Sequence, residues 1–585
     1  MTVTREMPAP GFSENAMTVL RERYLWRDET TGRIEDPIAM LRRVASAVAA
    51  PASSFGEDRG WWEERFFERL SRLEFLPNSP ALMNAGIGAG QLAACFVLPL
   101  ADDLDSIFSA LALAARIQQT GGGTGFSFSP LRPAGDRVLS TGGVSSGPLS
   151  FMQLFDHATT VIRTGGRRRG ANMAVLRVDH PDIRDFTKAK LGLDTLENFN
   201  LSVGITDEFL GALDSGSKFA LRNPRTGMTV ETIDPRRLFD EIVSAAYACG
   251  DPGLLFLDEI NRHNPTPALG RIEATNPCGE QPLLPYESCT LGSINLARFA
   301  GESDVEWDRL RDAIHDAVVF LDNLIDASRF PAKEIEAATR RTRKIGLGVM
   351  GLADLLARLA IPYDSEEAVA IGGRIAQTLT REARFKSIEL GERRGSFPAF
   401  SQSVWPGTGV QALRNATTTC VAPTGTLSLL AGCSSGIEPF FALASVRRAL
   451  DGRTLTDLNQ AALEALRGLG AAGERALAAI REHGSIRNVE GVPESLKRRF
   501  PIALEINPLD HLRMQAAFQA NVDAGVSKTV NLPAEATRQD VRQVFEGARR
   551  LKLKGVTIYR YGSRSKQAVS LVADERIPDC RECAV

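Results

Sequence analysis

Short apolar, strand-like runs alternate with amphipathic helical patterns from about residue 75 to residue 560 of this 585-residue chain. The helical pattern after Ser303 is the clearest, because apolar residues recur there at three- and four-residue spacing: Leu310, Ile314, Val318, Leu321 and Leu324. Such alternation is typical of α/β domains, in which helices pack on a sheet. Since no internal repeat interrupts the pattern, we predict one large α/β domain preceded by a helical N-terminal region at residues 1–75.

The composition is that of an ordinary globular protein, with 43% hydrophobic and 24% charged residues. A net charge of −2 argues against a general nucleic-acid or membrane-surface binder. No apolar run approaches the roughly 20 residues that a membrane span needs, and the first residues lack the apolar core of a signal peptide. We therefore expect a cytoplasmic protein that has neither a nucleic-acid nor a membrane partner.

The eight cysteines are too few for a structural disulfide framework in a chain of this length; they stand at positions 95, 249, 278, 289, 420, 433, 580 and 583. Cys580 and Cys583 form a Cys-x-x-Cys pair with no second pair or histidine nearby, so we predict no metal site there. A dithiol in a flexible tail is typical of disulfide exchange. Cys249 and Cys420 lie in apolar patterns that indicate the core, and Cys433 is undecided.

The stretch from Asn276 to Cys289 carries the strongest chemical signal in the chain. An amide, a thiol and a carboxylate stand at alternate positions, as Asn276, Cys278 and Glu280, and three prolines between 277 and 285 keep the stretch out of any helix. Alternation predicts that these three groups lie on one side of an extended segment. We interpret the stretch as a loop that acts on a substrate.

Two further segments suit an anion. The turn Pro423-Thr-Gly-Thr426 would bind phosphate if a helix starts there, because free backbone N–H groups and hydroxyls would converge, although a plain turn explains it equally well. A similar hydroxyl-bearing turn holds Ser79. The loop 164–172 contains three successive arginines between glycines, and it is either a solvated surface or a mobile recognition loop.

These motifs, taken in order, resemble those of ribonucleotide reductase large chains. The resemblance rests on Cys95, Asn276-Pro-Cys-Gly-Glu280, Cys289 and Pro423-Thr-Gly-Thr426. Four more segments are similar to the adenosylcobalamin-dependent class II branch of that family: Gly121–Ser129, Arg168–Met173, Arg343–Met350 and Gly432–Pro439. The similarity runs from about residue 75 to residue 567, so the resemblance implies a catalytic domain at 76–567 and a C-terminal tail at 568–585.

The resemblance implies an α/β barrel of ten strands in two five-stranded halves, with a finger loop at residues 276–280 in its centre. Cys278 would form a thiyl radical that removes the 3′ hydrogen of the ribose. Glu280 would take the proton of the 3′ hydroxyl, and Asn276 would polarise the developing ketone. Cys95 and Cys289 would supply two electrons and end as a disulfide.

The resemblance also implies three binding functions and a redox relay. The substrate, taken as a ribonucleoside diphosphate, would contact Ser79, Ala94, Gly123, Pro277, Gly279, Pro423, Thr424, Gly425, Thr426 and Leu427. A deoxynucleotide effector would bind Asp102 and Arg132 where two subunits meet, and Arg169 in the basic loop would report it to the substrate. Cys580 and Cys583 would reduce the active-site disulfide and be recharged by a thioredoxin-like reductant. Adenosylcobalamin is the implied cofactor.

Two rival interpretations remain. A class I large chain would take its radical from a separate metal subunit and needs adjacent tyrosines near its C-terminus, whereas Tyr559 and Tyr561 are separated by an arginine. A thiol–disulfide oxidoreductase or nucleotide-binding regulator would use the tail cysteines but leaves Asn276 and Glu280 without a function. The sequence leaves open a diphosphate or triphosphate substrate, the external reductant, and whether the expected homodimer or a monomer forms.

Overall fold

A computed structural model describes residues 11–28, 30–88, 90–138, 142–162, 170–192, 195–449, 453–564 and 569–572. Within these ranges, no helix has both the length and the apolar character that crossing a membrane requires. Three residues of predicted function lie outside the described residues: Arg169, Cys580 and Cys583.

Four helices and one short strand precede the barrel: α1 Glu14–Val19, α2 Pro37–Ala49, α3 Arg59–Ser71, β1 Phe75–Pro77 and α4 Ser79–Asn84. Asp36 caps α2 by accepting a hydrogen bond from the backbone N–H of Ala39 at 2.8 Å. This region shares one hydrophobic cluster with the barrel helices. Buried Arg69 also donates to Asp316, at 2.7 Å, so the N-terminal helices are fixed to the barrel.

The remaining strands are β2 Cys95–Val97, β3 Gly123–Ser127, β4 Asn172–Arg177, β5 Phe199–Ile205, β6 Phe219–Arg222, β7 Thr229–Ile233, β8 Gly253–Phe256, β9 Ala274–Thr275, β10 Pro282–Leu283, β11 Ser288–Asn295, β12 Ile345–Met350, β13 Ala444–Ala449, β14 Arg453–Leu458, β15 Thr529–Leu532, β16 Gly555–Arg560 and β17 Val569–Leu571. Short antiparallel pairs outside the barrel are β6 with β7 and β9 with β10, and a three-stranded sheet has the order β14, β13, β17.

Ten strand segments close into a barrel of two parallel halves. The first half is β2, β3, β4, β5 and β8 in that order. The second half is β11, β12, the segment 419–421, β15 with the residues before it, and β16. Antiparallel pairing joins β11 to β2 and β16 to β8. The implied barrel is therefore confirmed, with one strand of the second half attached only through the single bridges Leu347↔Thr419 and Val421↔Val526.

Helices cover the outside of the barrel: α5 Leu104–Gln119, α6 Gly147–Val161, α7 Ile183–Lys188, α8 Asp207–Ser215, α9 Pro235–Cys249, α10 Leu257–Arg262, α11 Trp307–Ala327, α12 Lys333–Thr342, α13 Leu352–Arg358, α14 Glu366–Arg394, α15 Gly425–Ala431, α16 Gln460–Leu466, α17 Ala471–His483, α18 Glu494–Arg499, α19 Pro508–Gln519 and α20 Arg538–Arg550. The helix predicted after Ser303 is α11, and its apolar stripe is buried.

Candidate active site

A short hairpin, β9–β10, crosses the inside of the barrel, and residues 276–281 form its tip. Thr275 pairs with Pro282 at the base of the tip. The tip is closed by two hydrogen bonds from the backbone N–H of Gln281 and of Gly279, which donate to Asn276 Oδ1 at 2.9 Å and to the Asn276 carbonyl at 3.1 Å. Gly279 has a φ of +82°, a left-handed conformation that favours glycine. We call residues 274–283 the finger hairpin.

The finger hairpin can lie against the barrel wall because the wall carries glycines where it passes. A Cβ atom on Gly125 in β3 would lie 1.7 Å from the Thr275 carbonyl oxygen, a distance that no side chain allows. On the opposite wall, the N–H of Gly525 donates to the Glu280 carbonyl at 2.8 Å. The amide of Asn200 in β5 donates to the Pro277 carbonyl at 2.8 Å. Both halves of the barrel therefore hold the tip.

The expectation that Asn276, Cys278 and Glu280 lie in an extended segment is wrong, because residues 276–279 form a turn closed by the hydrogen bond from the N–H of Gly279 to the Asn276 carbonyl. Asn276 and Glu280 are buried, with 1% and 2% of their surface exposed, whereas Cys278 is exposed at the end of the tip. The reason is the left-handed turn at Gly279, which reverses the chain between the thiol and the carboxylate. The amide and the acid consequently face inward while the thiol faces a cavity.

Cys95 and Cys289 lie opposite each other on the antiparallel strands β2 and β11, where the two residues are register partners. Residues paired in this way have Cα atoms roughly 4.5–5.5 Å apart, within the range that a disulfide requires. Both cysteines are free thiols and both are buried. The fold thus brings two thiols that are almost two hundred residues apart in sequence to disulfide-forming positions.

The inward side chains of the finger hairpin contact this thiol pair. Asn276 Nδ2 lies 3.1 Å from the sulfur of Cys95, and Glu280 Oε1 lies 4.0 Å from the same sulfur. Burial raises the pKa of the Cys95 thiol well above its usual value, and the negative charge of Glu280 raises it further. Burial likewise raises the pKa of Cys289. Both thiols therefore keep their protons at neutral pH.

Cys278 faces a cavity of about 470 Å³ on the other side of the finger hairpin. Its walls come from the tip, from Pro423, and from strands of both barrel halves, including apolar Met173, Leu254 and Ile558 and polar Asn200 and Ser202. This volume falls within the roughly 300–1,000 Å³ typical of small-ligand sites. Cys95 and Cys289 do not line it. We call this space the Cys278 cavity.

The turn Pro423–Thr426 starts helix α15, as the anion-site interpretation requires. Thr424 is in the left-handed region with a φ of +52°, and its hydroxyl accepts a hydrogen bond from the N–H of Gly436 at 2.8 Å. The backbone N–H groups of Gly425, Thr426 and Leu427 belong to the first turn of α15, where an α-helix offers no internal acceptor. Pro423 also lines the Cys278 cavity, so this turn adjoins the site.

Of the other residues expected to contact substrate, Gly123 lies against the finger hairpin, Ala94 is bonded to Gly123, and Ser79 lies in the N-terminal region. Ser79 begins α4 and shares a 2.8 Å hydrogen bond with the hydroxyl of Tyr24. The carbonyl of Ala94 accepts from the N–H of Gly123 at 2.8 Å, and a Cβ on Gly123 would lie 2.8 Å from Pro277 Cγ. Ser79, Ala94 and Gly123 are each half-buried, so they retain accessible surface.

The two expected effector residues form an ion pair away from the finger hairpin. Arg132 Nε lies 2.8 Å from Asp102 Oδ2, and the backbone N–H of Arg132 donates to Asp102 Oδ1 at 3.0 Å. The pair lies beside the first turn of α5, next to exposed Leu104 and Phe108. The structure therefore brings Asp102 and Arg132 together, separately from the substrate residues.

The sequence analysis did not single out several residues that hold the site. Asn200 and Gly525 carry no local signal, because their partners on the finger hairpin are remote in sequence. Glu438, in a segment quoted only for its resemblance, accepts hydrogen bonds from the buried ammonium of Lys528 at 2.6 Å and from the N–H of Thr529 at 2.7 Å. These bonds fix the loop after α15 to β15, at the wall of the Cys278 cavity.

Comparison with known proteins agrees with this architecture. The family model described as "Ribonucleotide reductase, barrel domain" matches residues 93–559, and the one described as "Ribonucleotide reductase, all-alpha domain" matches residues 10–90. The α subunit of the class Id ribonucleotide reductase of Actinobacillus ureae has the same fold, with a TM-score of 0.77 at 23% identity over 95% of this chain and 99% of that one.

Two curated relatives are more similar in sequence. The vitamin B12-dependent ribonucleoside-diphosphate reductase of Mycobacterium tuberculosis is 54% identical over 561 residues, which is 95% of this chain and 79% of the relative. The enzyme of the same description from Thermoplasma acidophilum is 44% identical over 97% of this chain and 81% of its own length. The resemblance seen in the motifs is confirmed, and the chain belongs to the ribonucleotide reductase large-chain family.

Proposed function

We propose that this chain is an adenosylcobalamin-dependent ribonucleoside-diphosphate reductase, an enzyme that supplies deoxyribonucleotides for DNA synthesis. The observation that carries the proposal is the division of the finger hairpin into two sides. Cys278 faces an open cavity, while Asn276 and Glu280 face the paired thiols of Cys95 and Cys289. The vitamin B12-dependent relatives, at 54% and 44% identity, support the same reaction class.

In this proposal the residues of the tip act on the ribose. Cys278, as a thiyl radical, removes the 3′ hydrogen, and the carboxylate of Glu280 accepts the proton of the 3′ hydroxyl. Asn276 is oriented for its part, because its Oδ1 accepts from the N–H of Gln281 and its Nδ2 points to the sulfur of Cys95, beside which the ribose would bind. Burial of both side chains strengthens these interactions by excluding water.

The thiols of Cys95 and Cys289 then supply two electrons and two protons. The 2′ hydroxyl leaves as water, a new C–H bond forms at the 2′ carbon, and the two sulfurs join in a disulfide. Cys278 then returns the hydrogen atom to the 3′ carbon and becomes a thiyl radical again, and Glu280 returns the proton to the 3′ oxygen. The raised pKa values of Cys95 and Cys289 keep these thiols protonated, which suits proton donors. Their register on β2 and β11 suits the disulfide product. The substrate is reduced and the two thiols are oxidised.

The residues around the Cys278 cavity fit the nucleoside portion of the cofactor. Its volume of about 470 Å³, its apolar walls at Met173, Leu254 and Ile558, and its polar groups at Asn200 and Ser202 suit a base and a sugar. When bound, adenosylcobalamin supplies the unpaired electron with which the reaction starts. The chain's own contribution is to hold Cys278 at the cavity and to keep solvent away from the inner thiols.

We assign the substrate and the effector nucleotide to two separate places. We assign the substrate phosphates to the first turn of α15, whose N–H groups at Gly425, Thr426 and Leu427 suit an anion. We assign a deoxynucleotide effector to Asp102 and Arg132. Exposed Leu104 and Phe108 on the adjacent helix α5 are an apolar surface suited to a second copy of the chain, which supports a homodimer.

An assay of the purified single chain tests the cofactor requirement. We expect conversion of cytidine diphosphate to deoxycytidine diphosphate only when adenosylcobalamin and a dithiol are both present. Hydroxocobalamin, which lacks the adenosyl group, is the matched control and should give no product. Activity that needs an added metal-containing radical subunit instead of cobalamin would assign the chain to the class I branch and overturn the proposal.

A further inference from the structure

Residues 523–525, between α19 and β15, pack their backbone directly on the tip of the finger hairpin. The N–H of Gly525 donates to the Glu280 carbonyl at 2.8 Å. The contact leaves no room for a side chain, because a Cβ on Gly525 would lie 2.8 Å from the Gly279 carbonyl oxygen and 3.0 Å from the Glu280 carbonyl oxygen. We call residues 523–525 the wall segment. It touches the part of the tip that carries the proposed general base.

The wall segment is also bonded to the neighbouring barrel strand, residues 419–421. The N–H of Ala524 donates to the Thr419 carbonyl at 3.0 Å, and the Gly525 carbonyl accepts from the N–H of Val421 at 3.0 Å. These two bonds use the N–H of one residue and the carbonyl of the next. The peptide group between Ala524 and Gly525 must therefore be held by other partners.

The buried ammonium of Lys554 holds that peptide group. Lys554 immediately precedes β16, and only 5% of its surface is exposed. Its Nζ donates to the Ala524 carbonyl at 2.5 Å and to the Asp523 carbonyl at 2.8 Å. The Ala524 carbonyl also accepts from the amide of Gln519, at the longer distance of 3.3 Å. Lys554 is therefore the nearer of these two side-chain donors.

One rigid group joins Lys554 to Glu280. The carbonyl of Ala524 and the N–H of Gly525 belong to the same planar peptide, in which they point in opposite directions. The ammonium bonds one end of this peptide and the Glu280 carbonyl bonds the other. Hydrogen bonds in such a chain polarise and strengthen one another. The position of the Glu280 backbone therefore depends on the cation at Lys554.

The charge of Lys554 matters to this contact. Burial lowers the pKa of Lys554 to about 8, and the carboxylates of Asp523 and Glu259 act against that shift. The ammonium form therefore still predominates at pH 7. A charged donor makes a hydrogen bond roughly twice as strong as a neutral donor does. An apolar side chain of similar length would fill the same space without holding the two carbonyls.

We propose that Lys554 is a positioning residue for Glu280: its ammonium fixes the peptide between Ala524 and Gly525, and this peptide holds the backbone of Glu280 beside Cys95. The inference rests on the proposed function, in which Glu280 accepts the proton of the 3′ hydroxyl. Lys554 does not line the Cys278 cavity, and its effect reaches the reaction through Glu280. Without the ammonium, the peptide can rotate and the carboxylate of Glu280 shifts.

Lys554→Met in the full-length chain tests the proposal with two measurements. Hydrogen exchange of the Gly525 amide, followed by mass spectrometry, needs neither cofactor nor substrate and should become at least about tenfold faster. In the reduction of cytidine diphosphate with adenosylcobalamin and a dithiol, kcat should fall at least about tenfold, since a shift of about 1 Å costs on the order of 100-fold. The KM for cytidine diphosphate should stay within about threefold, because the phosphates are assigned to α15.

Arg69→Met is the matched control, because it removes another buried cation, one that pairs with Asp316 far from the finger hairpin in sequence. It should lower the thermal midpoint but change kcat and Gly525 exchange by less than about twofold. If Lys554→Met does not fold, Lys554→Gln removes the same charge and should shift both measurements in the same direction.

Three results would overturn the proposal: unchanged Gly525 exchange, unchanged kcat, or an equal fall in kcat in Arg69→Met. Absence of cytidine diphosphate reduction in the unchanged chain would instead contradict the proposed function. In that case the exchange of the Gly525 amide would still decide whether Lys554 holds the backbone of Glu280.

Discussion

The two sides of the finger hairpin hold the same functional group in opposite environments. On the inner side, Cys95 and Cys289 are 3% and 0% exposed and their pKa values are raised by burial. On the outer side, Cys278 is exposed to a cavity of about 470 Å³. In the six-residue tip, the left-handed Gly279 lies between the exposed thiol of Cys278 and the buried carboxylate of Glu280.

In the proposed function, this difference keeps Cys278, the proposed radical residue, apart from the thiols of Cys95 and Cys289 that would reduce the substrate. Protonated, enclosed thiols are hydrogen donors but poor nucleophiles, because the thiolate is the reactive form. An accessible thiol can meet a cofactor that must bind and leave. We therefore expect that substitutions can disable each side of the finger hairpin separately.

The largest expected effect is the loss of Cys278. Cys278→Ser should lower turnover by about 10⁴-fold or more, because the hydroxyl does not replace the thiol as a radical carrier. Nucleotide affinity, measured by calorimetry, should change less than about twofold, since replacing sulfur by oxygen leaves the expected backbone and phosphate contacts of the substrate in place. Release of tritium from 3′-labelled substrate checks the step directly and should vanish.

Cys289→Ser is the matched control on the inner side. It should also prevent deoxynucleotide formation, but cleavage of the 3′ carbon–hydrogen bond should persist, because Cys278 and Glu280 are unchanged. If tritium release were lost equally in both variants, the two sides of the finger hairpin would not have separate functions.

The next effect concerns the crossing point of the finger hairpin and β3. In Gly125→Ala the added methyl would lie 1.7 Å from the Thr275 carbonyl oxygen, so the hairpin must move. A shift of about 1 Å in a catalytic group costs on the order of 100-fold in rate, which we expect here in kcat. Gly211→Ala, in α8 with no atom within 4 Å, is the control and should retain full activity.

Local sequence patterns predicted individual helices and turns, but they did not predict which residues from distant parts of the chain come into contact. The helix predicted after Ser303 is α11, Trp307–Ala327, and the turn predicted as a possible helix start at Pro423–Thr426 begins α15. Both signals lie within a few residues of the element. By contrast, Arg564 and Asp251 form an ion pair although they are 313 positions apart, and no local pattern joins them. The ten-stranded barrel came from the resemblance, because strand order depends on such remote pairings.

Local sequence patterns also did not predict the conformation of the loop that carries the site side chains. Alternation at Asn276, Cys278 and Glu280 was real, but it predicts a shared face only in an extended chain. The left-handed turn at Gly279 cancels it. The segment 419–421 was not predicted as a strand, and its place in the barrel rests on single bridges to its neighbours.

A smaller effect is expected in cysteine reactivity. At pH 8, iodoacetamide should label Cys95 and Cys289 at least about tenfold more slowly than exposed Cys278, as followed by peptide mass spectrometry. The pKa of each inner thiol is raised, so its thiolate appears only as pH climbs past that raised value, and labelling should still be increasing above pH 9. Faster labelling of the inner pair at pH 8 would contradict the division.

The raised pKa values of Cys95 and Cys289 also determine whether the free energy of unfolding rises or falls with pH. Unfolded cysteines ionise near pH 8.5, whereas the folded Cys95 and Cys289 remain protonated there. Above this pH the unfolded state binds fewer protons than the folded state, so the contribution of these groups to the free energy of unfolding must fall as pH rises. Thermal unfolding at pH 8 and pH 9.5 measures this fall in stability. Comparison of the unchanged chain with Cys95→Ala gives the part of the fall that is due to Cys95.

The smallest effect should come from replacing Cys420. This residue tests whether burial alone, or pairing with Cys95, makes a thiol necessary for the reaction. Cys420 is as buried as Cys289, and burial also raises its pKa well above the usual value, with Glu280 adding to the shift. Yet its backbone belongs to the bridged segment 419–421, and Cys289, not Cys420, is the register partner of Cys95. Cys420→Ala should therefore keep turnover within about twofold and lower stability by roughly 1–2 kcal/mol for the lost packing. A loss of activity as large as that of Cys289→Ser would mean that enclosure beside Glu280, and not pairing with Cys95, defines the reducing thiols.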